Sequence, residues 1–248
     1  MVKSLAACAY CHGQYPGPDS ALQGGRIQKD IYGAVAAANI TPSKSGIGDW
    51  STQDIVRAIR SSIDKDEEII SDEVHDGYEW MSDQDVLSIT AYLRTLTPIK
   101  NEVERRSVGF ISRNTTGLME GHEEVSGYVP SIQPKFTLEH GRYLVEHVAR
   151  CTRCHNSEGG MLSEEKYLFG GKVIAGENGE KIAPNISSST LYGIGGWTEE
   201  QIVAYLRSGE TPEARIIDID YCPIRFYSRA NTEDLYAIAV YLRSVPGS

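Results

Sequence analysis

Apolar residues recur at helical spacing in two well-separated parts of the chain. Val86, Ile89, Leu93 and Leu96 form one stripe, and Leu235, Ile238 and Leu242 form another. Helix starts are marked upstream. Ser51-Thr52-Gln53-Asp54 and Thr198-Glu199-Glu200-Gln201 have capping-box spacing, Ser82-Asp83-Gln84-Asp85 opens a further helix, and Thr137 caps a helical opening over 138–145. Alternating apolar runs are short and isolated, so a strand reading is poor throughout. The pattern predicts an all-α chain in which each terminal stripe packs on an earlier helix.

The same elements come in the same order twice, which is an internal repeat. Asn39-Ile40-Thr41 and Gly46-Ile47-Gly48-Asp49-Trp50 match Asn185-Ile186-Ser187 and Gly193-Ile194-Gly195-Gly196-Trp197. Asp54–Ser61 parallels Gln201–Ser208, and both halves close on Tyr-Leu-Arg, at 92–94 and 241–243. The expected organisation is a domain over 1–98, an extended linker over 99–135 without sustained period, and a domain over 136–248. His122 and Met119 fall in the linker; His122 reads as solvent exposed. Setting Val2 against Val145 leaves the first domain short of about two turns of its opening helix.

Candidate chemistry sits at matched places in the repeat. Cys8-Ala9-Tyr10-Cys11-His12 and Cys151-Thr152-Arg153-Cys154-His155 are both CxxCH, the attachment sequence of c-type haem. Two thiols on one turn can add to the two porphyrin vinyl groups, and the next residue, His12 or His155, supplies an imidazole to the iron. A zinc ribbon wants its second CxxC within about 15–20 residues, whereas Cys8 and Cys151 are 143 apart. The expected cofactors are therefore two haem c. Four of the five cysteines belong to these motifs, leaving Cys222 alone. Haem c is attached in oxidising compartments, so a periplasmic or otherwise extracytoplasmic location is expected, with the numbering beginning after a leader that is either removed or outside this sequence.

Charge and hydropathy narrow the partners. The 248 residues carry a net charge of −10, which disfavours nucleic acid and anionic membranes and suits docking to basic patches on a redox protein. Ordinary solubility accounts for the charge equally well. No apolar run approaches the ~20 residues of a membrane span.

CxxCH, Asn-Ile-Thr/Ser, Gly-Ile-Gly-x-Trp and the final Tyr-Leu-Arg helix together resemble class I cytochrome c domains, like those of the multihaem cytochrome subunits of membrane-bound alcohol, gluconate and related dehydrogenases. The resemblance implies two tandem class I cytochrome c domains, with Trp50, Trp197, Asn39 and Asn185 around the haem edges, core packing being the alternative for the tryptophans. It also implies a Met-Pro pair before the last helix as distal ligand, and both halves depart from that. The second half reads Cys222-Pro223, which makes Cys222 the candidate distal ligand there; a buried cysteine acting as a small hydrophobe is the alternative. Trp197 to Cys222 is 25 residues, and the same step from Trp50 reaches His75. Counting back from the terminal helices shifts the slot to Glu73. His75 is the candidate for the first haem, with Met81 as competitor. His140 and His147 share a helix face and read as surface or interdomain residues. The implied function is single-electron transfer at low potential between redox partners, as a carrier or as a cytochrome subunit, rather than substrate chemistry. The rival is a dihaem enzyme acting on sulfur compounds, like the thiosulfate dehydrogenases, with a dihaem peroxidase more distant.

Overall fold

The computed structural model describes residues 1–30, 33–70, 74–104, 106, 125, 127–157, 166–176, 179–216 and 221–247. Glu73, Met119 and His122 lie outside the described residues. The chain forms two compact units, one of Val2 and Cys8–Ser131, the other of Met1, Lys3–Ala7 and Ile132–Ser248.

The first unit runs α1 (Ala9–His12), a hairpin of β1 (Ile27–Asp30) and β2 (Gly33–Ala36), α2 (Thr52–Ser61), a single 3-10 turn (Tyr78–Trp80) and α3 (Asp83–Arg94). The second runs α4 (Leu138–Tyr143), which continues as a π turn (Leu144–Val148), then α5 (Thr152–His155), a hairpin of β3 (Val173–Gly176) and β4 (Gly179–Ile182), α6 (Glu199–Ser208), α7 (Ile224–Tyr227) and α8 (Thr232–Ser244). Helices carry the architecture. The two hairpins correct the expectation of no strands: each is antiparallel, with Ile27 opposite Ala36 and Val173 opposite Ile182. Four-residue strands are too short for alternation to register in the sequence.

The caps form where the sequence marks them. Ser51 Oγ accepts from the Asp54 amide at 3.1 Å while Asp54 accepts from the Ser51 amide at 2.8 Å. Thr198 and Gln201 repeat this reciprocal pair at 3.2 and 2.8 Å. Each cap satisfies amides that the first helical turn cannot pair internally, and so fixes where α2 and α6 begin.

In the second unit, α4 and α8 make the most extensive helix contact among the described elements. Val145, Leu235 and Ile238 are buried. The crossing is close because of Gly141: a Cβ there would overlap the Ala237 carbonyl and stand 2.7 Å from Tyr241 Cβ. The close approach also draws in its neighbour. His140, expected at the surface or between domains, is only 4% exposed within this helix pair, and its Nε2–H donates to Asp234 on α8 at 2.9 Å. Gly141→Val is expected to cost about 3 kcal/mol through overpacking, read as a lower midpoint in denaturant unfolding of the haem-loaded protein.

The first unit buries Ile55 and Ala58 of α2 with Val86, Ile89 and Leu93 of α3. Residues towards both ends of the expected linker are tied to it. Asn39 donates to the Ile99 and Asn101 carbonyls at 2.8 and 3.2 Å, and the Asp83 amide donates to the Val129 carbonyl at 3.1 Å. Polar side chains on loops hold these segments, and such pairings leave no periodic trace in a sequence.

Candidate haem sites

Each CxxCH motif lies on a single short helical turn, α1 or α5, entered through a left-handed residue: Ala7 at φ 46° and Arg150 at φ 51°. The turn ends at the histidine. His12 Nδ1 lies 2.7 Å from the Ala38 carbonyl, and His155 Nδ1 lies 2.8 Å from the Pro184 carbonyl. A carbonyl only accepts, so Nδ1 carries the proton and Nε2 is the nitrogen left for a metal. Burial holds both imidazoles below their usual pKa, the carbonyl bonds opposing it, so both are neutral at pH 7. A neutral imidazole braced by a carbonyl is the form that ligates iron and keeps its ring orientation.

The backbone carrying each of these carbonyls packs closely on a glycine that the motifs do not include. Gly24 and Gly170 adopt φ of +75° and +68°, and a Cβ on either would overlap the backbone of Ala38 or Pro184. Their amides donate back to the His12 and His155 carbonyls at 2.8 and 2.5 Å. The sequence signal for them is the pair of matched Gly-Gly dipeptides, 24–25 and 170–171.

On the opposite side of the first site, His75 comes to His12 with ring centres 6.2 Å apart. Two imidazoles bound end-on to one metal through nitrogens at about 2 Å have centres about 6 Å apart. His75 Nδ1 donates to the Ala58 carbonyl of α2 at 2.8 Å, which again leaves Nε2. Tyr78 packs on the His75 ring at 5.9 Å. Met81 is placed differently. Its side chain is 0% exposed, enclosed in the core, and its carbonyl accepts from Arg60.

In the second site Cys222 lies beside the motif cysteines. Burial pushes its thiol up, and the neighbouring thiols of Cys151 and Cys154 push the same way. Burial likewise raises Cys151 to about 12, with Cys154 adding to it. Tyr205 of α6 shares the pocket, its hydroxyl raised by burial and then by Cys222 and Cys151, and it meets Trp197 edge-on at 5.5 Å.

Three hydrogen bonds of the loops around the sites recur in both halves. Asn39 Oδ1 accepts from Thr41 N and Oγ1 at 3.0 and 2.7 Å, and Asn185 Oδ1 from Ser187 N and Oγ at 2.8 and 2.7 Å. The Trp50 carbonyl accepts from Arg94 at 2.7 Å, and that of Trp197 from Arg243 at 2.5 Å. For Asn39 the amide is committed to its own loop and to residues 99–101, so it braces the site and offers no N–H outward. His147 lies 3.6 Å from Glu146 on the opening helix.

No protein-family model matches the chain. Among known proteins, it is 30% identical over 97% of its length to the fructose dehydrogenase cytochrome subunit of Gluconobacter japonicus, and 28% identical over 99% to the cytochrome c subunit of the quinone alcohol dehydrogenase of Gluconobacter oxydans. The chain spans about half the length of these two relatives, 50% and 53%. A dihaem c-type cytochrome of Cereibacter sphaeroides is 30% identical over 96% of this chain and 82% of its own. With two braced CxxCH turns in two tandem class I cytochrome c domains, and a relative matched over most of both sequences, the chain belongs to the dihaem c-type cytochromes and carries two haem c groups.

Proposed function

We propose that the protein is an exported one-electron carrier, or the cytochrome part of a dehydrogenase complex, working at low potential with His12 and His75 as axial ligands of one haem and His155 and Cys222 as those of the other. The observation that carries this reading is the His12–His75 pair: ring centres 6.2 Å apart, each Nδ1 spent on a backbone carbonyl. The enclosure of the Met81 side chain supports it further, because its sulfur is surrounded by protein. Bound haem supplies the Fe(III)/Fe(II) couple, and axial ligand identity moves that couple over about 0.8 V. Imidazole and thiolate favour ferric iron where a thioether favours ferrous.

What the chain contributes is orientation and exclusion. Ala38 and Pro184 hold the His12 and His155 rings, Ala58 holds His75, and with the proposed ligands in place these side chains would keep other molecules off the metal. The haem-binding regions are assigned to 1–98 and 136–248, with 99–135 between them. The partner is a redox protein with a basic docking patch, which the net charge of −10 would steer. A dehydrogenase is favoured, because the relatives are named as cytochrome subunits of dehydrogenases. Among the described residues no helix is long and apolar enough to cross a membrane.

A spectroelectrochemical titration tests the reading. Two one-electron waves are expected, both below the range of His/Met cytochromes, and a wave inside that range contradicts the ligand assignment. The thiol beside Cys151 and Cys154 is the one feature that favours chemistry on sulfur compounds. Thiosulfate-dependent reduction of an artificial acceptor by the purified protein would establish that second reading.

A further inference from the structure

An imidazole ligand has two nitrogens, one for the metal and one for an anchor, and His75 uses its second on the Ala58 carbonyl at 2.8 Å. A cysteine has a single heteroatom. Once the sulfur is given to iron, no second nitrogen remains to rest on a carbonyl as in an imidazole, so much of its direction comes from the residues on either side. On the C-terminal side, Pro223 leads into α7. The Ile224 amide donates to the Cys222 carbonyl at 2.8 Å, and Phe226, 1% exposed, seats the turn in the core.

On the N-terminal side the anchor is Tyr221. Its hydroxyl donates to the Gly179 carbonyl at 3.0 Å, and the Lys181 ammonium stands 4.3 Å from its ring centre. Both partners belong to the β3–β4 hairpin, where Gly179 has φ +105° and opens β4. The first half has the same hairpin, with Gly33 at φ +102° in the matching place, but the position before His75 is Val74, which has no hydroxyl. The tyrosine thus occurs in the half whose distal residue cannot anchor itself.

We propose that Tyr221 is the positioning residue for the Cys222 thiolate, clasping the Cys222 segment to the β3–β4 hairpin so that the sulfur stays on the iron of the second haem. The proposal rests on the assignment of Cys222 as ligand. Losing the clasp leaves the chain folded but lets the sulfur swing away, so an added ligand competes more easily.

The test uses the full-length haem-loaded protein, oxidised, titrated with imidazole while the thiolate-ligated low-spin resonance is followed. In Tyr221→Ala the apparent imidazole affinity should rise about tenfold, the lower end of the usual effect of removing a group that supports a metal ligand. Tyr221→Phe keeps the contact with Lys181 and should show a smaller rise, with the first haem's signal unchanged in both. If Tyr221→Ala does not accumulate, Tyr221→Phe and Lys181→Ala, which each remove one contact near the surface, carry the test. Wild-type imidazole affinity in all these variants, alongside loss of the thiolate resonance in Cys222→Ala, overturns the positioning role alone. Retention of that resonance in Cys222→Ala overturns the ligand assignment and the clasp with it.

Discussion

With alanine at position 75, the reduced protein should bind carbon monoxide at one of its two haems at neutral pH, where the unaltered protein binds none. His75 is held between a fixed carbonyl on α2 and the Tyr78 ring, so under the proposed ligation its removal clears one distal site without disturbing the Cys8, Cys11 and His12 side. Covalent attachment should be intact, because it depends on the motif thiols. The expected stoichiometry is one carbon monoxide per chain. Met81→Ala separates the competing assignments. A fully enclosed methionine costs about 2–5 kcal/mol when cut to alanine, so that variant should lose stability and keep both irons six-coordinate. Carbon monoxide binding by Met81→Ala and not by His75→Ala would move the first distal ligand to the methionine.

Cys222→Ala should change the low-spin resonance of the other haem only, and Cys222→Met should do more. A thioether in front of Pro223 restores the Met-Pro arrangement that the resemblance implies, and ligand exchange of this kind works within a span of about 0.8 V. The second wave should then rise by on the order of hundreds of millivolts while the first stays in place. An unchanged resonance in Cys222→Ala would leave Cys222 as a small buried side chain without a role at the iron.

Features that depend on neighbours along the chain are legible in the amino-acid order alone: the capping pairs at Ser51 and Thr198, the α3 and α8 stripes, and the CxxCH turns. Features that depend on chain closure are not. The two counts toward the proposed first distal ligand differ by two residues, and the approach of the segment after α2 to the Ala58 carbonyl, which supports His75, cannot be counted along the chain. Spacing reads His140 as a surface or interdomain residue, whereas its burial follows from Gly141 letting two helices touch, a tertiary fact. The hairpins escape a periodicity argument because a four-residue strand held by a glycine turn carries too few positions to show a period. The matched glycines 24 and 170 are visible as a repeat, but their purpose, supporting the carbonyl behind each proximal ring, needs three dimensions.

Low-temperature electron paramagnetic resonance of the oxidised, haem-loaded protein tests the asymmetric ligation most directly. Two low-spin species in equal amount are expected, one with the wide g-spread of paired imidazoles and one with the narrow spread of imidazole opposite thiolate. Two equivalent species, or a methionine-ligated signal in either half, would contradict it.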